Sequence, residues 1–316
     1  MSSNGMLQGS HLSWLSSLTS LEVLDLSSNY DLVGPIPTLY ADLRYLDLSC
    51  TDLSVDLLEI LLGFQKMSNL QYLDLSFSKF SCSIPTYVGN FSSLRMLDLS
   101  GNNLTGSIPT SIGNLIFMLK LDLSENSLLG LILSSIGNLL SLEILDLSQN
   151  MMNDNIPESL GRLSQLVELH LDSNNWTGIL TEAHLISLRS LKSFKLTTDA
   201  PMSLAFNVTY DWVPPFNLEE LDIENCLVGP AFSVWLLKQR SLTSVIFPNT
   251  GISDIIPDNW FSFIASDLNY LDLSSNKIRG TLPRGLVFPN LYIINLSYNQ
   301  FEGEFPNWSF TAATQL

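Results

Sequence analysis

Residues 94–109 read Leu94-Arg-Met-Leu-Asp-Leu-Ser-Gly-Asn102-Asn-Leu-Thr-Gly-Ser-Ile-Pro109. The pattern LxxLxLxxN recurs at even intervals, with Leu97, Leu121, Leu145 and Leu169 in the same place. The register extends to Leu24, Leu46 and Leu73 on one side and to Phe194, Leu221, Val245, Leu271 and Ile294 on the other, making 12 repeats of slightly unequal length. The xLxL core alternates with period two, so it is read as a short strand with leucine inward and its neighbours outward. One such unit cannot bury its leucine face alone, whereas a stack can. The expectation is an α/β repeat solenoid with one parallel strand per repeat.

Two further landmarks follow the strand. An asparagine stands where the chain leaves it, at Asn29, Asn102, Asn126, Asn150, Asn174, Asn276 and Asn299. Its amide is placed to bridge backbone groups within and between repeats, because a buried amide must be hydrogen-bonded. Thr51, Ser78, Cys226 and Thr250 replace it at four rungs, and Cys226 there reads as a small buried hydrophobe. Then comes Gly-x-Ile-Pro or a variant, as in Gly34–Pro37, Gly106–Pro109, Gly280–Pro283 and Gly303–Pro306. Glycine permits the turn, and the residue before proline is biased to extended geometry. Turns such as Ser111-Ile-Gly-Asn-Leu115 carry the chain back across the far side. Residues 1–17 read as a partial leading repeat and 18–316 as the solenoid, with a longer irregular insertion at 197–217. That insertion reads either as a longer loop on the convex side or as a protruding recognition loop.

The bulk composition excludes several function classes. Hydrophobic residues make up 46% and charged residues 14%, which is ample for a core. With 14 Lys and Arg scattered along a chain of net charge -17, a nucleic-acid surface is not expected. The three cysteines, Cys50, Cys82 and Cys226, are widely spaced, and His11, His170 and His184 fall in no metal-ligand spacing, so no metal and no cofactor is expected. A nucleophile elbow, a phosphate loop and a dinucleotide fingerprint are all missing from the sequence, and no catalytic residue is assigned. The N-terminal stretch has no basic or apolar segment of signal-peptide type, and no apolar run is long enough to span a bilayer.

The outward strand positions carry what the scaffold does not fix. Asp25, Asp47, Asp74, Asp98, Asp122 and Asp146 form a row, readable as an acidic strip or as solvated repeat consensus. From the seventh repeat the Asp-then-Ser theme breaks: Glu168, His170 and Asp172, then Ser193, Lys195 and Thr197, then Glu220, Asp222 and Glu224, then Ser244, Ile246 and Pro248. The change is either drift or encoded recognition. On the second reading His170, Asp172, Lys195, Glu220, Asp222 and Glu224 form a mixed-charge ligand patch, flanked by Tyr210 and Trp212 of the insertion. Six Asn-x-Ser/Thr sequons, at Asn90, Asn103, Asn175, Asn207, Asn295 and Asn307, are candidate glycosylation sites.

The consensus LxxLxxLDLSxNxLxGxIPxxIGNLxxL, traceable from Leu18 to Phe305, resembles the plant-specific leucine-rich repeat. Phe206–Phe216, Leu221–Cys226 with Gly229–Phe232, and Asn249–Asp254 resemble the receptor-like proteins of the xylanase-elicitor receptor group. The resemblance implies a curved superhelix, with a parallel sheet on its concave face and short helical or 3-10 turns on its convex face. It implies a receptor at the cell surface, on the extracellular side of the plasma membrane, recognising a protein or peptide ligand, including one of microbial origin, in defence signalling. Adaptor or co-receptor leucine-rich-repeat kinases would be its partners. The family's signal peptide, cysteine caps and membrane span are not found, so the chain reads as a fragment. The alternatives are an extracellular inhibitor of a secreted cell-wall-degrading enzyme and the ectodomain of a leucine-rich-repeat receptor kinase.

Overall fold

The computed structural model describes residues 15, 17–18, 20–30, 32, 42–53, 56–64, 67–209 and 211–310. His11, the Gly34–Pro37 turn and Tyr210 therefore lie outside the described residues. The described residues form two compact units: one runs to Asn153 and includes Arg162–Leu166, and the other comprises Asp154–Gly161 and the chain from Val167 onward.

Each unit is a stack of leucine-rich repeats on a parallel sheet. In the first unit the strands are β1 (Val23–Asp25), β2 (Tyr45–Asp47), β3 (Tyr72–Asp74), β4 (Met96–Asp98), β5 (Lys120–Asp122) and β6 (Ile144–Asp146). Their register follows the sequence period: Leu24 pairs with Leu46, Leu46 with Leu73, Leu73 with Leu97, Leu97 with Leu121 and Leu121 with Leu145. In the second unit come β7 (Glu168–His170), β8 (Ser193–Thr197), β9 (Glu220–Glu224), β10 (Ser244–Ile246), β11 (Tyr270–Asp272) and β12 (Ile293–Asn295), again with Leu169, Phe194, Leu221, Val245, Leu271 and Ile294 in step. The inward leucines Leu97, Leu99, Leu121 and Leu123 have no exposed surface. Burying one such side chain fully is worth about 1.5–3 kcal/mol, so the stack is held mainly by this column.

Short 3-10 turns at Thr86–Asn90, Thr110–Asn114 and Ser134–Asn138 return the chain along the other side, each burying one aliphatic residue: Val88, Ile112 or Ile136. A β-carbon on Gly113 would lie 2.6 Å from the Ser135 carbonyl oxygen of the next repeat, so this glycine is required by close stacking of turns. Gly106, by contrast, is required by its backbone, which takes φ +74° before the Ile-Pro segment. Two of the longer repeats absorb their extra residues as α-helices, α1 (Leu57–Gly63) and α2 (Asp258–Ile264), in place of a 3-10 turn. The irregular 197–217 segment is tied down in a different way. Its strand Leu204–Phe206 pairs in parallel with Gly178–Leu180, and Leu204, Pro214 and Phe216 are buried.

The asparagines satisfy the backbone at each strand exit. Asn102 Nδ2 donates to the Leu99 and Ser100 carbonyls of its own repeat and to the Leu75 carbonyl of the preceding one, at 2.8–3.0 Å. Its Oδ1 accepts the Ser78 and Phe80 N–H groups. Asn126 and Asn150 in the first unit, and Asn276 and Asn299 in the second, repeat the bridge. Asn29 and Asn174, both wholly buried, bond carbonyls of their own repeat. At the substituted rungs Thr51 and Thr250 hydroxyls donate to Leu48 and Phe247 carbonyls, and Ser78 donates back to Leu48. Cys226 is wholly buried with its thiol 3.2 Å from the Glu224 carbonyl, and burial pushes that thiol up to about 12, so it remains a protonated donor.

Asn126→Ala removes donors to the Leu99, Leu123 and Ser124 carbonyls and orphans the Leu104 N–H. The expected loss is roughly 2–3 kcal/mol of stability. Asn126→Thr should recover part of it, as Thr51 and Thr250 do. Chemical denaturation of the two variants checks this, and equal losses for Ala and Thr would contradict it.

Candidate functional site

The outward residues of the two units behave differently, and hydrogen bonding explains why. In the first unit Leu99 N–H bonds the Asp122 carbonyl and Gly101 N–H bonds the Ser124 carbonyl, which leaves the intervening Ser100 N–H without a neighbouring strand to bond. Asp98 supplies the acceptor: its Oδ1 takes the Ser100 N–H at 3.0 Å and the Ser100 hydroxyl at 2.6 Å. The same clamp joins Asp25 to Ser27, Asp47 to Ser49, Asp74 to Ser76, Asp122 to Ser124 and Asp146 to Ser148. The reading of this row as solvated is therefore corrected. Asp98 is only 6% exposed, and Asp47 and Asp74 are 9% exposed, because each carboxylate is turned back onto its own strand exit.

In-register stacking sets these carboxylates side by side. Burial pushes Asp74 and Asp122 up, and the neighbouring aspartates add to it, while the serine bonds oppose it. Lys120 answers locally, with Nζ 2.8 Å from Asp98 Oδ2 and 3.3 Å from Asp122 Oδ2. Tyr45 and Tyr72 stack at 4.1 Å between centroids and donate to Asp47 and Asp74 Oδ2. Lys120 and the two tyrosine hydroxyls thus offset part of the row's charge.

In the second unit the clamp is broken in β7 to β10, and it returns at Asp272, which accepts the Ser274 N–H at 2.8 Å. His170 Nε2 lies 3.0 Å from Ser193 Oγ, Ser193 Oγ donates to Glu220 Oε2 at 3.1 Å, and Lys195 Nζ lies 3.6 Å from the same oxygen. Strands β8 and β9 run five residues, and their ladder continues to Thr197 and Glu224. Asp222 keeps the aspartate position but has Glu224 where the serine would be. Its Oδ1 is inaccessible to solvent and has no hydrogen-bond partner among the described residues. Burial pushes Asp222 up to about 7, with the Glu224 and Asp172 carboxylates adding to the shift and Lys195 opposing it. Burial also raises Glu224, helped by Asp272 and Asp172, while a side-chain interaction with Asp222 opposes the shift.

The fold thus brings His170, Asp172, Lys195, Glu220, Asp222 and Glu224 onto one sheet face. Trp212 is not with them. It packs 6.1 Å from Phe216 and 6.3 Å from Trp235, the latter on the 3-10 turn Val234–Lys238. Sequence reasoning missed Tyr270 and Tyr292. Together with Lys195, Glu220, Asp222, Ser244 and Ile246 they line a cavity of about 330 Å³ on this face. A signal for Tyr270 was present, because it holds the register position of Tyr45 and Tyr72. Among the sequons, Asn90, Asn103, Asn207 and Asn307 are exposed and Asn175 is half-buried. Asn295 stands in the aspartate row, donating to Asp272 Oδ2 at 2.8 Å and accepting from Ser297.

The burial of Asp222 beside other carboxylates predicts a pH dependence. A carboxyl whose folded pKa lies above its unfolded value binds protons more tightly when folded. Its contribution is present below about pH 4 and is lost as pH rises through about 7. Asp222→Asn should therefore raise the melting midpoint at pH 8 by about 2–6 °C and change it little at pH 4. Thermal denaturation at both values checks this; a variant that is destabilised at pH 8 would contradict it.

Comparison with known proteins agrees with this architecture. A model of the leucine-rich repeat region matches residues 32–310. The receptor-like protein EIX1 of tomato (Solanum lycopersicum) is 38% identical over 132 residues, covering 41% of this chain and 12% of the tomato protein. The tomato receptor-like protein EIX2 is 38% identical over 130 residues, with the same shares. The matched stretch thus spans about an eighth of these relatives' length. Among solved structures, the Arabidopsis receptor kinase HAESA, in complex with the peptide hormone IDA and the co-receptor SERK1, superposes with a TM-score of 0.67 at 26% identity, over 92% of this chain and 52% of that one. No helix among the described residues is long and apolar enough to cross a membrane. The chain belongs to the leucine-rich-repeat family and is related within it to the plant receptor-like proteins EIX1 and EIX2.

Proposed function

We propose that this chain is a ligand-recognition part of the ectodomain of a plant cell-surface receptor-like protein in defence signalling, and that it acts by binding a protein or peptide without catalysis. The observation that carries the proposal is the contrast between the two sheet faces. An inward apolar column is kept throughout, with Phe194, Val245 and Ile294 standing for leucine, while the Asp–Ser clamps of the first unit give way in the second to His170, Lys195, Asp222 and Glu224. Outward positions vary at little cost in packing, so a departure there is free to encode recognition. His170, Asp172, Lys195, Glu220, Asp222 and Glu224 form the contact patch, and Trp212 packs in the scaffold away from it. Output requires a partner kinase of the leucine-rich-repeat type, as the HAESA complex contains a co-receptor. The exposed sequons Asn90, Asn103, Asn207 and Asn307 are its glycan acceptors, which mass spectrometry of protein secreted from plant cells would read directly.

The test is retention of polypeptides from size-fractionated microbial culture fluid and plant extracellular fluid on the immobilised protein. A polypeptide should be retained by the parent and by the Asp25→Asn variant, and lost from the His170→Ala/Lys195→Ala/Glu224→Ala triple variant. Retention that survives the triple variant and disappears on Ile116→Ser/Leu140→Ser, on the exposed loops after the turns, would place recognition elsewhere. Retention of no polypeptide by the parent would count against a receptor role.

A further inference from the structure

The cavity on the second sheet face has a composition that selects its occupant. Ser244 and Ile246 line its middle, and one side is the Tyr270–Tyr292 pair, 6.3 Å between centroids and edge-to-face, with Tyr292 70% exposed. The opposite side holds the Glu220 and Asp222 carboxylates with Lys195. The notch exists because Ser244 stands in the register position that Tyr270 fills on one side and Glu220 on the other. Its volume of about 330 Å³ lies at the lower end for ligand sites, which suits one long side chain better than a whole small molecule.

Charge decides the sign of the occupant. Glu220 and Asp222 line the notch, the Asp172, Glu224 and Asp272 carboxylates act on Asp222 from close by, and together they outweigh Lys195, the cation in the lining, whose Nζ is already 3.6 Å from Glu220. Asp222 Oδ1 lacks the serine that satisfies its counterparts in the first unit. No group of three or more His, Cys, Asp or Glu among the described residues could hold a metal ion. A planar cation that stacks on an aromatic ring and offers a fork of N–H donors to carboxylates matches both sides at once.

We infer that this cavity is the seat of one arginine side chain of a polypeptide ligand, its guanidinium lying between the Tyr270–Tyr292 pair and the Glu220 and Asp222 carboxylates. The inference rests on the receptor reading and names the chemistry of one subsite within it. Arginine is preferred over lysine because an ammonium is a compact, strongly hydrated point charge that stacks less well. Binding strengthens as pH rises through about 7, where Asp222 gives up its proton. The charged or titratable groups facing Asp222 are Asp172, Lys195, Glu220, Glu224, Tyr270 and Asp272, and of these Glu224 and Tyr270 are also raised by burial.

The experiment uses the whole chain with isotope-labelled isoleucine methyl groups and three blocked tripeptides, acetyl-Gly-X-Gly-amide with X arginine, lysine or citrulline. At pH 8 the arginine peptide should shift the Ile246 methyl resonance saturably, the lysine peptide more weakly, and the neutral citrulline peptide not at all. Asp222→Asn should weaken the arginine peptide roughly tenfold at pH 8, with the Ile112 and Ile136 methyls unmoved as evidence of an intact stack. Lowering the pH to 5.5 should weaken binding to the parent and not to the variant. Equal shifts from arginine and citrulline, or an arginine shift that misses Ile246, would overturn the assignment. If that happens while the triple variant still loses its retained polypeptide, the arginine subsite falls and the receptor reading stands.

Discussion

A three-residue strand has too few hydrogen bonds to hold itself, so everything in this molecule depends on how each strand exit is tied to the repeat before it. The ladder asparagine does this with one side chain. Asn102 reaches the Leu75 carbonyl, the Ser78 N–H and the Phe80 N–H of the preceding repeat while satisfying its own exit. Leucine burial supplies most of the energy, but it is not directional. The amide supplies direction, because it has two donors and two lone pairs at fixed angles. Where it is replaced, the substitutes Thr51, Ser78, Thr250 and Cys226 each retain a donor to a backbone carbonyl.

The Asp–Ser clamp adds a second constraint, and it carries an electrostatic penalty. Carboxylates stacked in register repel one another, and burial makes the repulsion stronger. The first unit meets this with serine hydroxyls, two tyrosine hydroxyls and Lys120 bridging Asp98 and Asp122. The second unit gives up most clamps and with them most of that compensation. Asp222 is the residue on which the change falls, since it keeps the aspartate and loses the serine. A scaffold carboxylate that has lost its serine is left buried beside other carboxylates.

The fold was legible in the sequence because its signal is repetition. A period-two leucine pair in every repeat fixes strand, face and register together, and in-register pairing of Leu97 with Leu121 follows. Repeat spacing also carried information that counting alone did not interpret: the long step from Leu46 to Leu73 holds α1, and the long step from Val245 to Leu271 holds α2. The outward face was harder to read. A run of aspartates looks solvated until the serine two positions on is seen to bond back to each one. Trp212, placed by sequence beside the patch, is drawn off by Phe216 and Trp235. The cavity was invisible because it is made by an absence, a serine between two larger neighbours on adjacent strands, which no single repeat displays.

In the repeats that carry α1 and α2 the extra residues enter the helical side and leave the sheet register untouched, so the pitch of the outward rows does not change when these repeats lengthen. This makes the second sheet face a ruler with marks about 4.8 Å apart. A polypeptide laid across the strands in extended form advances about 3.4 Å per residue, so about seven of its residues pass five strands before the two spacings coincide. A ligand of that kind meets the scaffold in phase only at intervals. Its side chains between those points have no matching row to enter, and their identity would be free to change without altering the grip.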